Sequence, residues 1–71
     1  MARDWMKTAR EAAGKTQAEV AAELGISESY YNTIEKGKRQ QRMELNLADR
    51  LSSILHVSLR HILDCESDFK S

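Results

Sequence analysis

The 71-residue chain contains no proline, one cysteine and three glycines, and its acidic and basic side chains are equal in number. A lone cysteine, Cys65, excludes an internal disulfide framework and favours a reducing compartment, so a cytoplasmic protein is expected. No apolar run approaches the roughly 20 residues that span a bilayer. The first residues, MARDWMK, lack the apolar core of a secretion signal. We therefore expect no membrane association.

The residue combinations that support catalysis or metal binding are also missing. His56 and His61 stand five positions apart, and no second cysteine joins Cys65 at the spacing of a zinc site. There is no Gly-rich phosphate loop and no serine, histidine and aspartate in a catalytic order. We expect one domain over residues 1–71, with a core at about 4–63 and a polar, frayed tail at 64–71. It is expected to have no enzymatic activity, cofactor, metal or small-molecule ligand.

What the chain does contain is a series of helical patterns separated by capping residues. Thr16 and Glu19 form a capping box, in which each side chain accepts a hydrogen bond from the other residue's amide. Gly25 suits the left-handed residue that ends a helix, and Ser27 can cap the next one. The sequence predicts an all-α fold of five helices: Asp4–Ala12, one opened by Thr16, one between Ser27 and Gly37, one from about Glu44 to Leu55, and a short one after Ser58.

Helices 2 and 3 meet at a corner of three residues, Gly25-Ile26-Ser27. So short a corner forces two helices to cross steeply, which is the geometry of the DNA-binding helix-turn-helix. Tyr31 and Ile34 are predicted to face the core. The outward face of helix 3 is polar and can hydrogen-bond base edges or phosphates. Its candidates are Glu28, Ser29, Asn32, Thr33 and Lys36. A plain αα-hairpin of a small helical protein is the alternative interpretation.

A basic segment follows helix 3 directly. Lys36, Lys38, Arg39 and Arg42 give residues 36–42 four positive charges and no acid, although the net charge of the whole chain is zero. Such side chains hold the phosphate backbone without reading sequence. Tyr30 is the remaining candidate, because it is adjacent to Tyr31 and cannot share its inward direction. Its hydroxyl either reaches a phosphate or packs along a neighbouring helix.

Together these residues resemble the Cro/repressor type of helix-turn-helix protein, also called the xenobiotic-response-element family. The resemblance covers about Met6 to Leu63. It rests on Arg10, Thr16-Gln17, Val20-Ala21, Leu24-Gly25-Ile26-Ser27, Ile34-Glu35, Gly37-Lys38-Arg39, Leu55, Val57-Ser58-Leu59 and Ile62-Leu63. It implies a compact five-helix bundle of the phage-repressor DNA-binding type, whose third helix enters the major groove.

The resemblance also implies roles for residues outside helix 3. Gln17, at the start of helix 2, is expected to donate to a phosphate and to brace helix 3. Arg10 and Glu35 are expected to form an internal ion pair. Members of the family bind as two-fold dimers, so dimer contacts are expected near helix 5. The candidates there are Leu59, Ile62, Leu63 and Phe69.

Three positions depart from the family pattern. His56 stands where the family usually has glycine, so the end of helix 4 is expected to be strained or differently capped. The usual proline after the basic segment is missing, which favours a more mobile loop. Helix 3 begins with the acidic Glu28, which either accepts from a cytosine amino group or deters wrong sites by repelling phosphate.

The expected function is that of a sequence-specific regulator of transcription, a repressor that binds double-stranded DNA as a homodimer. The alternative is a protein-interaction module on the same fold, such as an antitoxin or anti-repressor. The net charge of zero and the acidic Glu28 favour that alternative.

Overall fold

A computed structural model describes residues 2–40 and 42–69 of the chain, apart from the side chains of residues 68 and 69. These residues form five α-helices and no strand, which confirms the predicted all-α fold. The helices are α1 (Asp4–Ala12), α2 (Gln17–Leu24), α3 (Glu28–Glu35), α4 (Leu45–Leu55) and α5 (Leu59–Phe69).

The predicted caps set the ends of α2 and the start of α3. Thr16 Oγ1 accepts from the amide of Glu19 at 3.1 Å, and the Glu19 carboxylate accepts from the amide of Thr16 at 2.8 Å. Gly25 ends α2 with φ at 76°, a left-handed conformation that glycine adopts without steric cost. Ser27 Oγ then accepts from the amide of Tyr30 at 3.0 Å. The corner is therefore encoded by local hydrogen bonds.

Among the described residues, ten apolar side chains form the core. They are Met6, Val20, Ala21, Leu24, Tyr31, Ile34, Ala48, Leu51, Leu55 and Ile62. Tyr31 and Ile34 are fully buried, as the sequence predicts, and Ala21 of α2 lies in the same core at 2% exposure. Because this face of α3 packs inward, the opposite face is turned to solvent.

The core corrects one prediction about α5. Ile62, expected at a dimer interface, is 0% exposed and packs among the core side chains of its own chain. It is therefore unavailable to a partner. Leu59 is half-buried against the same core, whereas Leu63 is 49% exposed. The side chain of Phe69, the fourth candidate, lies outside the described residues.

The predicted frayed tail is also wrong over residues 64–69, because α5 continues to Phe69. Its second half is polar and has few apolar residues to dock. Glu66 nevertheless is only 8% exposed, since it pairs with Arg3 and Trp5 near the start of α1. A polar contact, absent from any hydrophobic pattern, thus secures this part of the helix.

Two residues other than glycine hold left-handed backbone among those described. His56, at the helix end that was expected to be strained or differently capped, ends α4 with φ at 58°. Gln40, after the basic segment, has φ at 53°. A side chain on such a residue crowds the following carbonyl, so both positions carry a conformational cost.

Candidate nucleic-acid interface

The solvent-facing side of α3 carries the residues that the sequence predicts for base contacts. Glu28, Ser29 and Lys36 are exposed, and Asn32 and Thr33 are half-buried beside them. The Thr33 hydroxyl donates to the carbonyl of Tyr30 in its own helix at 2.6 Å, which commits its proton. The structure therefore brings these five candidates to one face of one helix.

Glu35 lies behind that face and gathers three donors. Its carboxylate accepts from Arg10 Nε at 2.7 Å, from the Tyr31 hydroxyl at 2.8 Å and from Gln17 Nε2 at 3.0 Å. The expected Arg10–Glu35 ion pair is thus present, with side chains only 11% and 6% exposed. It joins α1 to α3, and Gln17 joins the start of α2 to the same carboxylate.

Burial and hydrogen bonding shift the pKa of the Glu35 carboxylate in opposite directions. Burial alone raises the pKa of Glu35, but the hydrogen bonds from Arg10, Tyr31 and Gln17 outweigh it and hold that pKa below its usual value. Burial, together with the hydrogen bond to Glu35, raises the pKa of Tyr31 far above its usual range. Glu35 is therefore ionised and Tyr31 protonated at neutral pH.

The charge on Glu35 determines how the neighbouring amides are oriented. A carboxylate only accepts hydrogen bonds, so Gln17 must turn its Nε2 toward Glu35 and its Oε1 away. That Oε1 accepts from Asn32 Nδ2 at 3.2 Å. Within the described residues, Asn32 then keeps its Oδ1 and one N–H for a ligand. One acceptor and one donor are what bidentate pairing with adenine requires.

Tyr30 lies on another side of α3. It is half-buried against the core, and its hydroxyl accepts from Gln40 Nε2 at 2.9 Å. Of the two roles that the sequence leaves open, this placement favours packing over a phosphate contact.

We call residues 36–40 and 42 the basic loop. Lys36, Lys38, Arg39 and Arg42 are all exposed, and none of them pairs with an acidic side chain among the described residues. The amides of Lys38 and Arg39 both donate to the carbonyl of Thr33, at 2.9 and 3.3 Å. The loop therefore folds back on the end of α3 and keeps its cations next to the exposed face.

Lys7 joins this surface without having been predicted. An open cleft between the start of α1 and α3 is lined by Lys7, Arg10, Gln17, Asn32 and Lys36, among others. Lys7 is exposed. Nothing in its sequence context distinguishes it from other exposed lysines of an amphipathic helix, so only the packing of α1 on α3 identifies it.

Arg3 was also missed, although it is the most extensively bonded side chain described. Its Nε donates to Glu66 Oε2 at 2.8 Å, and its Nη1 donates to the carbonyl of Ile34 at 2.7 Å. Further bonds reach the carbonyls of Arg39 and Gln40 in the basic loop. Arg3 and Glu66 are 63 positions apart in the chain, so no local pattern could have revealed the pair.

Other kinds of site are not evident in the part of the chain that the structure describes. Its His, Cys, Asp and Glu residues form no group of three or more that could hold a metal ion. None of its helices combines the length and apolar character needed to cross a membrane.

A family model described as helix-turn-helix matches residues 6–62, a segment that includes α2, α3 and the turn between them. No curated protein and no solved structure matches the chain.

Proposed function

The chain belongs to the helix-turn-helix family, and from this premise we propose that it is a sequence-specific repressor that reads the major groove with α3 as a homodimer. The matched domain is a DNA-binding regulatory one and not a catalytic one. The observation that supports sequence reading is the hydrogen bond between Gln17 and Asn32, because it leaves Asn32 with the donor and acceptor that adenine pairs with. DNA as ligand also favours a cytoplasmic location.

Within this proposal the exposed residues divide into two groups. Asn32, Ser29 and Glu28 contact base edges. Thr33 belongs with them, because it offers its methyl group to a thymine. The residues that hold phosphates are Gln17, Lys36, Lys38, Arg39 and Arg42. Four lysine or arginine contacts per chain contribute about −3.6 to the slope of log affinity against log salt, or about −7 for the proposed dimer, since each neutralised phosphate contributes about −0.9.

The test begins with selection of bound duplexes from random DNA, followed by affinity measurements over a salt series. Arg39→Ala is expected to weaken all duplexes alike and to lower the magnitude of the slope by about 1 for each bound chain, or about 2 for the dimer. Asn32→Ala is expected to change the preference between bases at one position. Arg50→Ala, which removes an exposed arginine from α4, is the matched control and is expected to leave the slope unchanged. Affinity without any salt dependence contradicts the proposal.

We propose that dimerisation uses α5, where Leu63 is 49% exposed and Leu59 lies half-buried. Two-fold dimers of this kind meet half-sites roughly 34 Å apart. A patch this small predicts a weak dimer, whose mass in sedimentation rises with concentration and which Leu63→Glu disrupts. A strictly monomeric profile at high concentration, with binding to single half-sites, contradicts it.

The second candidate function is a protein-interaction module, such as an antitoxin or anti-repressor. The exposed acid Glu28 at the start of α3 and the net charge of zero favour it, because both weaken attraction to DNA. The same duplex assay separates the two functions. Failure to bind any duplex at low salt, by a chain that circular dichroism shows to be folded, supports the protein partner.

A further inference from the structure

We propose that Arg3, which no DNA can touch, is a positioning residue that holds the basic loop in the shape in which its cations reach phosphates. The Arg3 side chain is 0% exposed. This inference rests on the proposed function, because it assigns a purpose to the loop. It adds a residue that lies outside the matched residues 6–62.

The Arg3 guanidinium forms hydrogen bonds through every one of its N–H groups. Arginine has five N–H donors in a fixed planar fork. Two bonds go to Glu66, from Nε at 2.8 Å and from Nη2 at 3.0 Å. The other three go to backbone carbonyls: Nη1 reaches Ile34 at 2.7 Å and Arg39 at 3.0 Å, and Nη2 reaches Gln40. All five donors are therefore engaged.

The three carbonyls lie at the end of α3 and in the basic loop that follows it. Ile34 belongs to the last turn of α3. Its carbonyl also accepts from the amide of Gly37 at 3.0 Å, and the positive charge of Arg3 there suits the helix dipole. Arg39 and Gln40 belong to the basic loop. The backbone amide of Arg3 adds a bond to the carbonyl of Glu35 at 2.7 Å. One residue thus fastens the loop to the end of the helix that precedes it.

The guanidinium is itself held in place by Glu66. Glu66 of α5 is 8% exposed, accepts two bonds from Arg3 and also accepts from Trp5 Nε1 at 2.9 Å. The carboxylate neutralises the buried charge and fixes the plane of the fork. The left-handed backbone of Gln40 is stabilised from the other side, where its side chain bonds to Tyr30 and to the amide of Glu44.

Arg3→Lys is the informative variant, because lysine keeps the charge for Glu66 but has three donors from a single nitrogen and no fork. The probe is the duplex selected with the native chain. We expect the magnitude of the salt slope to fall by about 1–2 for each bound chain, the equivalent of one to two lost phosphate contacts per chain. Arg39→Ala should then cost less affinity in the Arg3→Lys background than in the native one. Arg50→Lys, which alters an exposed arginine that donates to the carbonyl of Glu23 at 3.2 Å, is the matched control.

A role in stability alone gives a different result. Partial unfolding lowers the affinity for every duplex but leaves the salt slope unchanged, and the effects of Arg3→Lys and Arg39→Ala then add. Either of these results overturns the proposal. Should Arg3→Lys not fold, the double variant Arg3→Met with Glu66→Gln removes the buried charge while keeping an acceptor for Trp5, and the same slope measurement is made on it.

Hydrogen exchange in the absence of DNA separates this inference from the proposed function. In the free chain we expect Arg3→Lys to speed exchange at the amides of Gly37, Lys38 and Arg39 more than at those of α2. Uniform or unchanged exchange overturns the positioning role even if the native chain binds DNA. If exchange speeds up only at the basic loop in Arg3→Lys, but the native chain binds no duplex, then Arg3 does anchor the loop. The DNA-binding function assigned to the loop is then wrong.

Discussion

Arg10→Ala removes the only cation that pairs with the buried Glu35 carboxylate among the described residues. Taking one partner from a buried ion pair costs about 3–5 kcal/mol, because the other charge stays buried without compensation. Glu35 keeps its hydrogen bonds from Tyr31 and Gln17, so we expect the lower end, about 3 kcal/mol. A 71-residue domain has roughly 4–11 kcal/mol of stability in total. The variant should therefore lose a large part of it.

Thermal and urea unfolding, followed by circular dichroism, measure this loss. For a domain of this size each kcal/mol shifts Tm by about 4–8 °C, so Tm should fall by roughly 12–24 °C. Lys15→Ala is the matched control. Lys15 pairs with Glu23 at 2.8 Å, nearly the same distance as the Arg10–Glu35 pair, but its side chains are 26% and 44% exposed. An exposed pair contributes little to stability, because water screens its charges, so we expect Lys15→Ala to leave Tm almost unchanged.

Acidification provides a second check on the cause. Without Arg10, Glu35 loses its strongest hydrogen-bond donor, so the pKa of its carboxyl rises and protonation removes the orphaned charge. The difference in unfolding free energy between the variant and the native chain should then shrink as the pH falls below neutrality. A loss equal to that of Lys15→Ala, or one independent of pH, refutes the reasoning that burial gives this pair its importance.

Three further predictions concern stability. His56→Gly should raise the free energy of unfolding by about 0.5–1 kcal/mol, since glycine relieves the left-handed strain at the end of α4 but enlarges the unfolded ensemble; an unchanged or lower Tm contradicts this. Ile62→Ala should lower the free energy of unfolding by about 2–5 kcal/mol, because it leaves a cavity in the core. Leu63→Ala should change stability little but weaken dimerisation. Equal losses of stability in urea unfolding would contradict the burial of Ile62 and the exposure of Leu63. Glu35 has a lower pKa in the folded chain than its usual 4.5, so the stability that it contributes is complete above that pH and is lost as the pH falls through the folded value. In Glu35→Gln the free energy of unfolding should therefore fall less steeply in acid than it does in the native chain. An equally steep fall would contradict this.

Local signals in the sequence were sufficient for the helix-turn-helix itself. The Thr16–Glu19 capping box, Gly25 and Ser27 each satisfy backbone groups within four positions of themselves, so their roles follow from spacing alone. The polar face of α3 follows equally from helical periodicity. These elements carry most of the candidate interface, and they are the part that sequence reasoning placed correctly.

Contacts between distant segments could not be predicted in this way. Arg3 and Glu66 both look like ordinary surface charges in sequence, and only the packing of α5 beside the start of α1 buries them together. The same packing decides that Ile62 faces inward while Leu63 does not. Helical periodicity shows that one of two adjacent apolar residues is buried, but which one depends on the direction from which the neighbouring helix approaches.

Trp5 is the only tryptophan of the chain, and its indole N–H donates to Glu66 across the junction of α1 and α5. Intrinsic fluorescence therefore reports one particular junction, while circular dichroism reports all five helices. If the two ends of the described chain separate before the helices melt, the emission will shift at a lower urea concentration than the ellipticity. Tryptophan fluorescence thus reports whether α1 and α5 remain in contact at the place where Glu66 supports Arg3.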